Sequence, residues 1–286
     1  MTRFPNGLGA IVADIDLVVM DLWGCMHDGI KAYPAALDAL DQLRKAGVDV
    51  ALVSNAPRRI EVVRPRMREM GIADDLYTGF YTSGEEVWNH IAAKDQPQYA
   101  ALGSRAYQIV GGQDLTFLDG LDVTAVTDIA AADFVLAIGV DSPNDTVADF
   151  MPVLQAARAR NLPLVCANPD LIVHRGGIAE ICAGAIAEAY GNLGGEVIIE
   201  GKPYPGIYRR ALKDFKIADP ARVLGIGDAL RTDVAGAKGV GAKSLLIAGG
   251  IHHSVLLEGT VLDQDALARL SEGGPQPDYA LPYLAW

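Results

Sequence analysis

Four places in the chain end a β-rich apolar run with a side chain able to take part in phosphate or metal chemistry. Leu17-Val18-Val19-Met20 leads into Asp21, and the run 48–54 ends in Ser54-Asn55. The run 196–201 is followed by Lys202, and the run 222–228 ends at Asp228, with Asp233 five residues further on in GDALRTD (227–233). A single polar strand tip is a common cap and means little. Four tips on one edge of a parallel sheet would converge, because such sheets bind ligands beyond the carboxyl ends of their strands. Two or three carboxylates suit Mg²⁺, a hard cation that prefers oxygen donors. A serine hydroxyl, backbone N–H groups and the point charge of a lysine suit phosphate oxygens. A carboxylate beside the metal can attack phosphorus and become an aspartyl-phosphate.

The elements needed to position these groups are legible. PAALDALDQLRKAG (34–47) reads as a helix with Pro34 at its start, Gly47 at its end, and Ala36, Leu40 and Leu43 on one face. YPGIYRRALKDF (204–215) repeats the pattern with Tyr204, Ile207, Tyr208, Ala211, Leu212 and Phe215 at helical spacing. Further strands are expected at 76–83, 133–139, 162–168 and 242–248, and Gly249-Gly250 reads as loop punctuation. Near-continuous apolar strands alternating with helices predict an α/β fold on a doubly wound parallel sheet, covered on both faces.

The 286 residues carry a net charge of −12, which argues against a nucleic-acid or anionic-membrane partner. A local basic pocket for a small phosphorylated metabolite remains compatible with that balance. Cys25, Cys166 and Cys182 are too scattered for a disulfide framework or a zinc knuckle, and read as buried thiols. The N-terminal stretch lacks the apolar core of a signal peptide and no run reaches membrane-span length, so a cytoplasmic chain is expected. The sequence leaves a homodimer open.

The motifs DLWGCMHDG (21–29), LVSNAPR (52–58), GKPYPGIY (201–208) and GDALRTDVAGA (227–237) span nearly the whole chain. In this order they resemble the haloacid dehalogenase (HAD) superfamily, specifically its class IIA branch of sugar-phosphatase-like and pyridoxal-phosphatase-like hydrolases. The resemblance implies a HAD core with an inserted α/β class II cap. It also implies a Mg²⁺-dependent phosphatase acting on a small phosphomonoester, a sugar phosphate or an aryl or pyridoxal-type phosphate. Carried over position by position, Asp21 resembles the nucleophile and a Mg²⁺ ligand. The backbone carbonyl of Trp23 and the Asp228 carboxylate resemble further ligands, with Asp233 the acidic residue just outside them. Ser54 and Lys202 resemble the phosphate holders, with the Asn55 backbone nearby.

Only 33 positions separate Asp21 from Ser54, whereas 148 separate Ser54 from Lys202, room for an extra α/β module. The expected organisation is therefore core at 1–96, cap at 97–196 and core again at 197–286. ANPDLIVHRGG (167–177) falls near the end of the expected cap, making His174 and Arg175 candidates for substrate specificity, with an exposed polar loop as the competing reading. Arg58, with Arg59, starts the second helix and is a further candidate near the phosphate.

Position 23 departs from the pattern. Phosphatases of the resembled family carry there a second aspartate that protonates the leaving oxygen and later deprotonates the attacking water. Trp23 can do neither, although a metal contact through its backbone oxygen survives. Three readings follow: esters with acidic leaving groups are hydrolysed; His27 or Asp28 on the same loop substitutes; or the site binds phosphate ligands without turnover. Haloacid dehalogenases themselves carry an aromatic residue here and attack carbon without metal. Their cap, however, lies between the first two motifs, and they lack the paired acids of the fourth, so dehalogenation ranks below phosphate chemistry.

Overall fold

The computed structural model describes residues 2–110, 115–175 and 178–286, with the backbone alone at Leu115, His174, Arg175 and Ile178. Gly176 and Gly177, at the end of the ANPDLIVHRGG motif, lie outside the described residues. The chain forms two compact units: one from 1–54, 61–81 and 202–286, the other from 55–60 and 82–201.

Along the chain, the first unit contributes β1 (Leu17–Met20), α1 (Pro34–Lys45), β2 (Asp49–Ser54) and most of α2 (Ile60–Glu69) and of β3 (Gly79–Thr82). Pro34 opens α1, where its missing N–H is no loss, and the helix buries Ala36, Ala39, Leu40 and Leu43. It ends in a Schellman motif: Gly47, at φ 74°, donates to the Arg44 carbonyl while Val48 donates to that of Leu43. The helix therefore stops where the sequence places its glycine.

The second unit holds α3 (Ser83–Ala93), α4 (Pro97–Ala100), β4 (Arg105–Ile109), β5 (Thr124–Val126), β6 (Phe134–Ala137), α5 (Val147–Ala159) and β7 (Leu164–Cys166). It continues through β8 (Ile172–Arg175), β9 (Ile178–Ile181), α6 (Ala183–Asn192) and β10 (Val197–Ile199). Its sheet runs β10-β7-β6-β4-β5 with parallel pairing, and β8 and β9 form a separate antiparallel hairpin. Val87 and Ile91 of α3 join Tyr99, Phe134 and Val165 in one core cluster, which is why this unit begins as early as Thr82. Leu154, Ala157, Ile186 and Tyr190 from α5 and α6 cluster with Val135, Leu164 and Cys166 in another.

The chain returns to the first unit through α7 (Pro205–Asp214), β11 (Val223–Gly227), α8 (Ala235–Gly239), β12 (Lys243–Ile247) and α9 (His253–Leu256). A short hairpin of β13 (Leu257–Glu258) and β14 (Val261–Leu262), then α10 (Gln264–Leu270) and β15 (Tyr279–Leu281), complete it. The sheet order is β15-β12-β11-β1-β2-β3. β1 lies at its centre, parallel to β11 on one side and to β2 on the other. Leu17, Val19, Ala51, Val53 and Val223 pack with Ile207, Tyr208 and Ala211 of α7 and with Ala237 of α8. Val18 and Met20 are equally buried, so the opposite face is covered too, as a doubly wound sheet requires.

One strand expectation needs correcting. The run 196–201 gives β10, but β10 pairs with β7 of the second unit, Val197 opposite Leu164 and Ile199 opposite Cys166. Lys202 therefore stands not on a core strand tip but in the segment just ahead of α7. The strands β4, β5, β8, β9, β13, β14 and β15 were not expected; each is five residues or shorter. Among the described residues no helix is long and apolar enough to cross a membrane.

Candidate active site

Asp21 is the first residue beyond β1, and Asp228 the first beyond β11, its parallel neighbour. From β1 the sheet extends to β2 on one side and to β11 on the other, the switch point where open parallel sheets leave a crevice at their carboxyl edge. Asp233 enters from a π-helical turn over Leu230–Val234, an irregularity often found at functional sites. Carboxylate oxygens of Asp21, Asp228 and Asp233 lie within 4.8 Å of one another. Lys202 Nζ donates to Asp21 Oδ1 at 2.5 Å and to Asp233 Oδ1 at 2.7 Å, and all four side chains are buried. Ser54 ends β2; the pairing of Met20 with Leu52 sets it level with Leu22, one residue past Asp21. The first unit thus assembles Asp21, Lys202, Asp228 and Asp233 into one cluster, with Ser54 on the neighbouring tip.

Fully ionised, three carboxylates and one ammonium would leave two uncompensated negative charges in a buried place, which is costly. The consequence shows in the titration of the groups. Burial pushes Asp21 up to about 7; the Lys202 ammonium opposes that rise and the Asp233 charge adds to it. Burial, then the neighbouring Asp21 and Asp233, hold Asp228 well above the usual carboxylate range. Burial alone would lower Lys202, but Asp21 and Asp233 keep it well above an ordinary lysine. A divalent cation matches the charge excess, and an all-oxygen donor set without His or Cys suits Mg²⁺ rather than zinc. The residues fit the ion.

Two glycines make room for Asp228. A Cβ on Gly24 would stand 2.0 Å from Asp228 Oδ2, and one on Gly250 would stand 2.1 Å from the same oxygen. That oxygen also accepts the Ile251 N–H at 2.7 Å. Held from both sides, Asp228 cannot step away from an added methyl group. Gly250 and the Ile251 N–H were missed from sequence, where Gly249-Gly250 read only as a loop; a glycine pair directly after a strand was the available signal. Gly227 makes similar room, since a Cβ there would lie 2.0 Å from Asp233 Cγ. Gly24→Ala is expected to lower Mg²⁺ affinity by roughly tenfold or more. It should also destabilise the fold by about 1–2 kcal/mol, because Gly24 sits at φ 79°. Thermal melts with and without Mg²⁺ measure both; a variant stabilised by Mg²⁺ like the wild type would contradict the steric argument.

The loop after β1 carries Trp23, His27 and Asp28. Trp23 is half-buried, with its indole against Gly29, where a Cβ would come 2.4 Å from Cη2. The His27 ring meets it edge-on, centroids 5.6 Å apart at 77°. His27 Nδ1 accepts the Gly29 N–H at 3.0 Å, and burial pushes this histidine down to about 4. At neutral pH it has no proton to give from that nitrogen. Asp28 Oδ1 accepts the Ile30 and Lys31 N–H groups at 2.9 and 2.8 Å, and those bonds hold the exposed carboxyl below its usual range. Neither residue is set up as an acid, which weighs against one of the three readings left open by the sequence, that His27 or Asp28 substitutes. Cys25 is buried, as expected, and burial beside the Asp228 and Asp21 charges pushes its thiol far up, leaving it inert.

The other sequence candidates belong to the second unit. Asn55 Nδ2 donates to Asp170 Oδ1 at 2.9 Å, so its side chain has a structural occupation in addition to any through its backbone. Thr82 Oγ1 donates to the Arg58 carbonyl at 2.7 Å. Arg59 forms a two-point pair with Glu85, at 2.8 and 3.1 Å, and lies 3.8 Å over the Trp88 ring. His174 and Arg175 lie on β8, paired with Ala179 and Ile178, and their side chains are outside the described residues.

A parallel α/β core with an inserted α/β module, and an acid–lysine cluster at the switch point, define a hydrolase of the HAD type. Residues 90–241 match the haloacid dehalogenase-like hydrolase family, and residues 18–124 match a further haloacid dehalogenase-like hydrolase family. The chain belongs to this superfamily. It is 34% identical to a haloacid dehalogenase-like hydrolase from Brucella suis 1330, covering 99% of this chain and 100% of that one with a TM-score of 0.83. Ribonucleotide monophosphatase NagD of Escherichia coli (strain K12) is 26% identical over 242 residues, 84% of this chain and 88% of that protein. A p-nitrophenyl phosphatase from Archaeoglobus fulgidus shares the fold, with a TM-score of 0.70 at 22% identity over 94% of this chain and 97% of that one.

Proposed function

We propose that the chain is a Mg²⁺-dependent phosphatase of a small phosphomonoester, working through an aspartyl-phosphate on Asp21. The observation that carries this reading is the cluster of three carboxylates, Asp21, Asp228 and Asp233, whose oxygens lie within 4.8 Å of one another, with Lys202 bridging the first and last. Asp21, the Trp23 carbonyl and Asp228 would hold the ion, with Asp233 fixing Lys202 beside them. Bound there, Mg²⁺ supplies positive charge against the phosphate oxygens and keeps Asp21 ionised.

The chain's own groups account for the rest. An ionised Asp21 oxygen forms a bond to phosphorus as the bond from phosphorus to the ester oxygen breaks, and the leaving group departs with the electron pair. Lys202 and Ser54 hold the phosphate oxygens, and the ammonium offsets charge that builds on them in the transition state. Water then attacks the phosphorus of the aspartyl-phosphate, giving inorganic phosphate and regenerating Asp21. The similarity to a ribonucleotide monophosphatase and to a p-nitrophenyl phosphatase supports this chemistry. Residues 97–196 are proposed as the cap, with His174 and Arg175 reading the substrate beyond its phosphate and Asn55 and Arg58 assisting at the phosphate. The partner is a small phosphorylated metabolite in the cytoplasm.

One observation favours a second reading. With Trp23 in place of the acid, and His27 and Asp28 both committed to the loop, a phosphate-ligand binder of low turnover is the alternative. Hydrolysis of p-nitrophenyl phosphate with Mg²⁺, and its loss on chelation with EDTA, separates the two. Turnover is expected for this aryl ester, whose leaving group needs little protonation. Binding of inorganic phosphate without any hydrolysis would favour the binder.

A further inference from the structure

The ten residues that follow Leu22 close on themselves around His27. Its main-chain N–H donates to the Leu22 carbonyl at 3.2 Å, and its carbonyl accepts the Gly24 N–H at 2.9 Å. Its backbone also bridges Trp23 on one side and Ala32 on the other. Its ring adds two contacts no generic residue would supply: Nδ1 takes the Gly29 N–H at 3.0 Å, and the ring edge meets the Trp23 indole. Gly29 is thereby held between the imidazole and the indole, at φ 85°, in a turn tightened further by Asp28.

The bond to Gly24 bears directly on the cation site. Gly24 N–H and the Trp23 carbonyl belong to the same peptide unit, which is planar and trans. Fixing the N–H onto the His27 carbonyl turns the Trp23 oxygen the opposite way, away from His27. The same peptide leads into Gly24, where an added Cβ would stand 2.0 Å from Asp228 Oδ2. One residue therefore sets both a main-chain oxygen and the wall against a carboxylate of the cluster.

We infer that His27 is a positioning residue: its main-chain carbonyl fixes the Trp23–Gly24 peptide, its ring nitrogen, bonded to the Gly29 N–H, holds the loop that presents that carbonyl, and together they set the affinity of the site for its cation. This rests on the cation-dependent reading of the site given above. The imidazole touches no reacting group; an acceptor at the same place in the side chain should serve as well. Asparagine offers one, since its Oδ1 stands where Nδ1 does, whereas leucine fills similar space and leaves the Gly29 N–H without its partner.

The test is an Mg²⁺ titration of the wild type, His27→Leu and His27→Asn, read as the rise in melting temperature with Mg²⁺ and, separately, as p-nitrophenyl phosphate turnover. Groups that orient a metal's ligands typically carry 10–100-fold in affinity. His27→Leu is expected to bind Mg²⁺ about tenfold or more weakly and to recover kcat at saturating Mg²⁺, with His27→Asn close to the wild type in both. Equal Mg²⁺ affinity in all three proteins overturns the inference. So does His27→Asn binding as weakly as His27→Leu, or losing kcat at saturating Mg²⁺, which would give the imidazole a proton-transfer role instead. If His27→Leu fails to fold, His27→Asn decides alone: wild-type Mg²⁺ affinity and kcat support positioning through an acceptor, and loss of either refutes it. A wild type stabilised by Mg²⁺ but without turnover removes the phosphatase reading and leaves the test of His27 intact.

Discussion

Asp21→Asn is expected to abolish turnover, by roughly 10⁴-fold or more, as loss of a covalent nucleophile does elsewhere. The amide occupies the same space beyond β1 but carries no charge to form a bond with phosphorus. The fold should not suffer. Burial already pushes Asp21 up to about 7, so the cluster resists its ionisation, and neutralising it removes one of the two excess charges. Lys202 keeps its bond to Asp233 at 2.7 Å. The melting temperature without Mg²⁺ should therefore stay level or rise, while stabilisation by Mg²⁺ shrinks because an anionic donor is gone. Acid-quenched protein should carry a covalent phosphate in the wild type and none in the variant. Retention of most of the activity with p-nitrophenyl phosphate would show that Asp21 is not the attacking group.

What the sequence made legible follows from where its signals are local. A strand rich in Val and Leu that ends in a carboxylate announces both itself and its tip, so Asp21 and Asp228 are readable, as is α1 between Pro34 and Gly47. Lys202 is readable as a residue but not as a position. Its preceding run has strand composition, and nothing in Val197–Ile199 says that Leu164–Cys166, rather than a core strand, will be its partner. Strand partnership is a non-local property. The short strands β5 and β15 were missed for a related reason: three residues are too few to show a period. The roles of Gly24 and Gly250 were hidden because a glycine marks only what must be absent, and what must fit there, Asp228 Oδ2, comes from another strand. His27 reads from sequence more as a flap or structural histidine than as a base, and its place as an acceptor in a closed loop agrees with that; which N–H it would bond could not be read, because the loop's closure is set by its fold.

Trp23 gives the other large expected effect. Gly24, the next residue, is bonded to His27, and on the proposed phosphatase reading the Trp23 side chain stands where an acid would, with no proton to supply. With His27 and Asp28 both spent on main-chain N–H groups, the wild type should cleave aryl or acyl phosphates much faster than alkyl sugar phosphates, because only the latter need protonation to depart. Trp23→Asp should raise the alkyl rate by up to about 10²–10⁴-fold, the usual worth of a positioned general acid, and leave the aryl rate nearly unchanged. The cost falls on the loop. The indole lies against Gly29 and meets the His27 ring at 5.6 Å, so its removal loosens both. Trp23→Ala separates the two effects, since it removes the indole without adding a carboxylate. A gain in alkyl turnover for Trp23→Asp but not for Trp23→Ala, with similar melting temperatures, assigns the gain to the proton. A wild type that already hydrolyses alkyl and aryl phosphates at equal rates would show that a residue other than Trp23 supplies the proton, and His27→Ala and Asp28→Ala would then test the rest of the loop.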